Sequence, residues 1–262
     1  SLTKVLVLAR LIKMRYTTSN PIMTQNFWSN ITGQNTMTFQ GTIIKLSYLI
    51  GVVAVSALLS IYVSLDAIAS GNASVVSGLT WGGMLGGIVV ALILGFMRPE
   101  KPATLMTIYA VLMGMFVGSI SLLFELTYQG IIIQAGFGTI FITGSMLVIY
   151  SSRVIKATPT FNKVIGSLVA SIMLMYALSI IFTLFTPFEV PYLHTSGPIG
   201  IGITVFILCV AALSLISDFG FIESGVKWKA PKNAEWWGAF GVLVTIIWIY
   251  IEMIRLLSKI RD

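Results

Sequence analysis

Two carboxylates at the end of a long apolar run are the first candidates for chemistry in this sequence. Asp218 and Glu223 lie within six residues of each other in the segment LSLISDFGFIESG. An ionisable side chain inside a membrane costs about 2.5–3.5 kcal/mol on insertion scales, so its presence there indicates function. Asp218 closes a predicted membrane span and has no base near it in its own helix. We predict that Asp218 is functional, whereas Glu223 is a solvated loop acid near Lys227.

Three further charged residues are expected near membrane depth. Arg98 ends the second predicted span, and Glu252 and Arg255 lie late in the last span. The arginines could extend to the lipid headgroups, and Glu252 could pair with Arg255 three residues on. Arg98 and Asp218 both end spans that run in the same direction, so a pair between these two is the best candidate for a latch.

Motifs typical of enzymes are absent from the sequence. The single histidine, His194, excludes an HExxH zinc site, and no GxSxG turn, P-loop or dinucleotide-binding fingerprint occurs. The single cysteine, Cys209, cannot form a disulfide within the chain. We therefore expect neither enzymatic activity nor a bound cofactor.

The composition indicates which class of protein must position these residues. Of the 262 residues, 56% are hydrophobic and only 10% are charged, and the mean hydropathy is +0.95. Soluble domains contain about 25% charged residues, so this chain is predicted to be an integral membrane protein whose main partner is the lipid bilayer. Its net charge of +7 is expected to reflect cations beside membrane spans rather than nucleic-acid binding.

Seven stretches have the length of about 20 apolar residues that a transmembrane helix needs. They are 43–65, 75–96, 103–124, 130–150, 164–185, 198–217 and 238–257. The connections between them are short, so we predict an all-α bundle of seven transmembrane helices as one domain over residues 43–262. Residues 1–42 would form an N-terminal cytoplasmic segment, in which residues 1–13 are either a surface helix or a foreign leader.

The basic residues predict the orientation of the bundle in the membrane. With seven spans, 13 of the 16 Lys and Arg fall at one end, which we call the basic end and expect to be cytoplasmic. The other three, Arg255, Lys259 and Arg261, fall at the opposite end, so the last span either crosses fully or re-enters. We favour a full crossing, in the cell membrane, with a cytoplasmic N-terminus.

Acidic residues dominate the connections at the opposite end. Asp66, Glu125 and Glu189 lie there, and no Lys or Arg accompanies them before the C-terminal tail. A negative surface would concentrate cations. The same pattern also follows from the exclusion of Lys and Arg from outer loops, whatever the function.

Glycines spaced four residues apart predict where helices pack closely. They are Gly82, Gly83, Gly86 and Gly87 in the second span, and Gly114 and Gly118 in the third. Small residues at this spacing let helix backbones approach each other in a bilayer. We expect contacts within one chain, with a homodimer face as the alternative.

The final 50 residues, beginning at LSLISDFGFIESG, resemble the C-terminal region of the Bax inhibitor-1 family, most closely its bacterial branch. The segments IYAVLMGMFVGSIS and TSNPIM also resemble this family. The resemblance implies a seven-helix bundle with the last helix at its centre. It also implies a pH-sensitive calcium leak across the membrane.

The resemblance further implies roles for individual residues. In the family, a carboxylate at the end of helix six and another in helix seven form an acid pair, which a basic residue after helix two can engage. Asp218 matches the first acid, and Arg98 in FMRPEKP matches the basic residue. The second acid falls on Thr245, which is a departure from the family pattern. Glu252 supplies an acid two turns further out on the same face and is a possible ion-path residue.

These observations favour a passive cation leak in which Ca²⁺ is the permeant ion and protonation of Asp218 is the gate. Asp218 would bind Ca²⁺ only transiently, because a stable site needs more oxygen ligands. The alternative is a non-transporting interaction protein that modulates proteases or other membrane partners. A coupled transporter is less favoured, since the sequence shows no persuasive internal repeat.

Overall fold

The computed structural model describes residues 36–185 and 197–262. Within these ranges the chain forms seven α-helices, which we number in chain order. They are α1 Phe39–Ala69, α2 Ala73–Met97, α3 Ala103–Thr127, α4 Ile131–Ser151, α5 Pro159–Phe185, α6 Pro198–Lys227 and α7 Ala234–Arg261. Each is long and apolar enough to cross a membrane, so the predicted all-α membrane bundle is confirmed. The expectations for residues 1–13, Glu189 and His194 lie outside the described residues.

The interior of the bundle is formed by α3, α6 and α7. In each of these helices 56% of the apolar stretch is buried, compared with 11% in α1. Helix α7 packs against α1, α3, α4 and α6, so the last helix is central, as the resemblance implied. Its first turns bury Trp237 and Phe240 completely in the main hydrophobic core.

Two glycines of α2 allow it to lie directly on α3. A Cβ atom at Gly83 would be 2.6 Å from the carbonyl oxygen of Leu112, and one at Gly87 would be 2.7 Å from a side chain of α3. At Gly86 the Cβ would meet the Leu112 side chain at 3.3 Å, and at Gly82 it would meet no atom within 4 Å. The close approach of the two backbones therefore depends on Gly83, whereas Gly87 makes room for the Met113 side chain and Gly82 does not contribute.

Helix α3 uses its own glycines against α1. A Cβ atom at Gly114 would lie 2.6 Å from the carbonyl oxygen of Val53, and one at Gly118 would overlap the backbone of Ala57. The hydroxyl of Ser56 then donates a hydrogen bond of 2.7 Å to a carbonyl oxygen of α3. Close packing and interhelical hydrogen bonds thus hold α1 on α3, as is typical of membrane helices.

Helix α7 runs without interruption from Ala234 to Arg261, so it crosses the bundle fully and does not re-enter. At its end, Arg261 donates hydrogen bonds to the carbonyl oxygen of Gln129 at 2.9 Å and to the side chain of Gln134 at 2.7 Å. These two residues belong to the α3–α4 connection and the start of α4. The C-terminus therefore lies at the end opposite the α6–α7 connection.

Helix α6 is longer than the sequence predicted. The apolar stretch was expected to end at Ser217, but the helix continues to Lys227. The prediction that Glu223 lies in a loop is therefore wrong. The helix continues because Phe221 and Ile222 are buried beyond the acid at 218, and a hydropathy window that stops at a charge does not detect such packing.

Candidate functional site

Polar side chains follow one face of the central helix. Thr245, Trp248, Glu252, Arg255 and Lys259 are spaced three or four residues apart on α7, so they lie on one face of the helix. We call this set the polar stripe. Trp248 packs against an apolar cluster contributed by α5 and α6, which shows that the stripe faces these two helices. Because buried polar groups are costly in an apolar bundle, the stripe is the candidate functional site.

The first contact of the polar stripe joins α6 to α7. The hydroxyl of Thr245 donates a hydrogen bond to Oδ2 of Asp218 at 2.7 Å and lies 3.2 Å from the carbonyl oxygen of Gly241. Only 1% of Asp218 is exposed. Nine residues of α6 follow Asp218, so it lies about 14 Å from the end of the helix at 1.5 Å per residue. Asp218 was predicted to lie at the end of its helix. It lies inside the bundle instead, and the helix continues beyond it.

The contact also shows what replaces an acid pair in this chain. A carboxylate at position 245 could share a proton with Asp218, whereas the Thr245 hydroxyl can only donate its hydrogen or accept one. The structure thus brings together the two positions that the resemblance paired. Their chemistry is a carboxylate with a hydroxyl donor.

The predicted latch between Arg98 and Asp218 is not among the ion pairs that join described residues. Between described residues the ion pairs are Lys45–Glu235, Arg153–Glu223 and Arg255–Glu252. None of them joins Arg98 to Asp218. Arg98 caps the end of α2 with a left-handed backbone, φ 43°. The predicted latch assumed that Arg98 and Asp218 both end their helices. Asp218 does not, because α6 continues to Lys227. The latch therefore stays a prediction.

A second cluster lies two turns further along the polar stripe. Oε1 of Glu252 accepts a hydrogen bond of 2.6 Å from the Tyr176 hydroxyl and one of 3.3 Å from Nη1 of Arg255. Nη1 of Arg255 also donates to the Tyr176 oxygen at 2.6 Å. Glu252 is 1% exposed, whereas the Arg255 side chain is 26% exposed. The pair that was expected within α7 is therefore formed, and a tyrosine of α5 joins it.

Lys259 completes the polar stripe near the C-terminal end of α7. It is only 6% exposed, and its ammonium group donates to the carbonyl oxygen of Gly200 at 3.2 Å and to the Thr204 hydroxyl at 3.1 Å. From the sequence, Lys259 was expected to lie in a C-terminal tail. Its position seven residues after Glu252, on the same face, is the signal that could have identified it.

The chain was compared with known proteins at the levels of family, sequence and structure. A family model described as Bax inhibitor 1 like matches residues 20–262, which include all seven helices. The chain belongs to the Bax inhibitor 1 like family. The comparison with curated proteins and the comparison with solved structures gave no match. The family and the seven apolar helices together identify a multi-pass membrane protein.

In this Bax inhibitor 1 like protein, sequence reasoning missed one buried acid, Glu235. It is 0% exposed and lies in the first turn of α7. Its carboxylate accepts hydrogen bonds of 3.0 Å from both the backbone N–H and the hydroxyl of Thr38, and it forms an ion pair with Lys45. Thr38 is the N-cap of α1, so Glu235 connects the beginnings of the first and last helices.

Two acids, Glu125 and Asp66, lie at the end of the bundle opposite the basic end. Glu125 accepts hydrogen bonds from the backbone N–H groups of Gly130 at 2.5 Å and Ile132 at 3.0 Å. It therefore satisfies donors at the start of α4, which a helix leaves without internal partners. Asp66 lies exposed near the end of α1. In this family member, the acidic character of that end thus includes at least one structural carboxylate.

Glu223 is a helical residue with specific partners. Nη1 and Nη2 of Arg153 donate to its two carboxylate oxygens at 2.9 and 2.7 Å, and the Tyr150 hydroxyl donates to it as well. The hydrogen bonds and the negative charge of Glu223 raise the pKa of the Arg153 guanidinium. This bidentate pair joins the α4–α5 connection to the last turns of α6.

Proposed function

We propose that this Bax inhibitor 1 like protein is a passive cation leak, with Ca²⁺ as the permeant ion, and that protonation of Asp218 controls it. The observation that carries the proposal is the buried hydrogen bond between Asp218 and Thr245, 2.7 Å long, at the contact of two central helices. A carboxylate in this position carries a charge that a proton can remove. The charge state therefore affects how α6 and α7 pack.

The change in hydrogen bonding supplies the energy for a switch. A hydrogen bond to a charged carboxylate contributes about 1.5–3 kcal/mol, and one between neutral groups about 0.5–1.5 kcal/mol. Protonation of Asp218 thus weakens its contact with Thr245 by roughly 1–2 kcal/mol. Such a local charge change can shift a bundle between two packings that differ by a few kcal/mol.

The polar stripe offers the route along which an ion would move. From Thr245 to Glu252 the α7 helix rises about 10 Å, and both residues carry oxygen atoms, which Ca²⁺ prefers. Asp218 and Thr245 supply three side-chain oxygens, whereas a stable Ca²⁺ site uses six to eight. These residues therefore suit brief contact with a passing ion better than lasting binding.

Two cations on the stripe favour a slow leak over a fast channel. Arg255 and the buried Lys259 lie beyond Glu252, so an ion that enters from that end approaches two positive charges. Glu252 compensates the charge of Arg255 through their contact at 3.3 Å. The ammonium group of Lys259 donates hydrogen bonds to oxygens of Gly200 and Thr204, and we infer that its charge limits the rate.

The orientation forms part of the proposal. The 13 Lys and Arg residues outside α7 are the ones predicted at the basic end, and the positive-inside bias assigns that end to the cytoplasm. The N-terminus would then be cytoplasmic, the C-terminus would lie on the other side, and the membrane would be the cell membrane.

Ca²⁺ uptake by liposomes that contain the purified protein tests this function. Wild type is expected to give a pH-dependent flux, Asp218→Asn a flux that no longer responds to pH, and Asp66→Asn the wild-type response. Asp66→Asn is the matched control, since it makes the same chemical change at an exposed position. Absence of flux from wild type, together with a membrane protease that co-purifies, would favour the non-transporting alternative.

A further inference from the structure

A cavity of about 400 Å³ with charged side chains in its lining lies at the basic end of the bundle and shares no residue with the polar stripe. The α4–α5 connection forms one wall with Arg153 and Lys156, and the last turns of α6 form the other with Glu223 and Lys227. Cavities that bind small ligands have volumes of about 300–1,000 Å³. The size is therefore sufficient for a small polar ligand or a headgroup.

The charges of this cavity favour an anion. The bidentate contact with Glu223 compensates Arg153, so the charges of Lys156 and Lys227 determine the net charge of the walls. Both lysines are exposed, and neither forms an ion pair with a described residue. The cavity thus has a lysine on each of its two walls, and Glu223, the acid among its lining residues, is paired with Arg153.

The position of the cavity indicates where the anion comes from. Trp228, which lines it, follows the last residue of α6 and is exposed. Tryptophan is enriched at the membrane–water interface, where its ring lies at the level of the headgroups. Cytoplasmic leaflets are rich in anionic lipids, which attract lysines next to membrane spans. The cavity that both lysines line is next to this interfacial tryptophan.

We propose that this cavity binds the phosphate group of an anionic phospholipid. Lys156 and Lys227 would bind the phosphate, and Trp228 would lie against the headgroup region. Free phosphate has the same binding chemistry, and the experiment below separates the two sources. The bound group would bridge the α4–α5 connection and α6. It would add a phosphate contact beside the pair between Arg153 and Glu223.

The test measures how much lipid the purified full-length protein retains in detergent, by native mass spectrometry. The probes are phosphatidylglycerol, phosphatidylcholine with the same acyl chains, and inorganic phosphate. The variant Lys156→Gln/Lys227→Gln removes the two cavity charges. The matched control Lys101→Gln/Lys232→Gln removes two exposed charges at the same end, outside the cavity.

Wild type and the control are expected to retain phosphatidylglycerol over phosphatidylcholine. The cavity variant should bind phosphatidylglycerol more weakly by roughly fivefold per lysine removed. Binding of inorganic phosphate without selection between the lipids, again lost in the cavity variant, would assign the site to free phosphate. If the cavity variant and the control bind every probe equally, the proposal is wrong.

Discussion

The hydrogen bond from Thr245 to Asp218 is predicted to set the pH at which the leak responds. Thr245→Val keeps the shape of the side chain and removes the hydroxyl that lies 2.7 Å from Oδ2 of Asp218. A hydrogen bond to a charged group contributes about 1.5–3 kcal/mol, and about 1.4 kcal/mol corresponds to one pH unit. The hydroxyl stabilises the charged carboxylate, so its loss favours the protonated form. The midpoint of the pH response should therefore move to higher pH by roughly one to two units.

The assay is Ca²⁺ flux into liposomes over a series of pH values, with the midpoint as the measured quantity. Thr245→Ser keeps the hydroxyl and is expected to retain the wild-type midpoint. Thermal unfolding of each variant separates a change in the site from a general loss of stability. A midpoint for Thr245→Val equal to that of wild type would show that this hydrogen bond does not control the leak.

Three further variants test other parts of the account. Lys259→Met should raise Ca²⁺ flux several-fold while Lys259→Arg does not, because only the first variant removes the positive charge that repels an approaching cation; equal flux from both would contradict the role given to this charge. Glu235→Gln should lower the free energy of unfolding by about 3–5 kcal/mol, since it leaves the Lys45 ammonium without its buried partner, and an unchanged melting temperature would refute this. Gly114→Ala should cost about 1–3 kcal/mol through overpacking, whereas Gly82→Ala, which meets open space, should not destabilise the protein in the same melting experiment.

The number and order of the helices could be predicted because each membrane span carries its own hydropathy signal. The ends of the helices could not be predicted equally well. Helix α6 passes Asp218 and continues to Lys227, since Phe221 and Ile222 become buried against other helices. Hydropathy along one chain does not record such contacts between helices.

Only part of the candidate site could be predicted, because contacts between helices are not recorded along one chain. The spacing of Thr245 and Glu252 gave their common face, and the resemblance matched Asp218 with Thr245. The rotation and depth of one helix relative to another decide which side chains touch, and the sequence does not specify these directly. Tyr176 beside Glu252 could therefore be found only from the structure.

Buried charges near the predicted helix ends were the hardest feature to predict from the sequence. Glu235 follows the turn-forming residues of KAPKN and precedes the last predicted span, 238–257, so its position indicates a connection between helices. In the structure it is completely buried, because Thr38 and Lys45 of the first helix region supply its partners. These partners are almost 200 positions away in the chain, which no local pattern could show.

The most direct test of the central claim is the Ca²⁺ flux of reconstituted Asp218→Asn beside wild type, at acidic and neutral pH. The amide keeps the size of the side chain and removes the proton-dependent charge. The proposed mechanism predicts that wild-type flux changes between the two pH values and that the Asp218→Asn flux does not. A variant that retains the wild-type pH response would contradict the assignment of Asp218 as the gate.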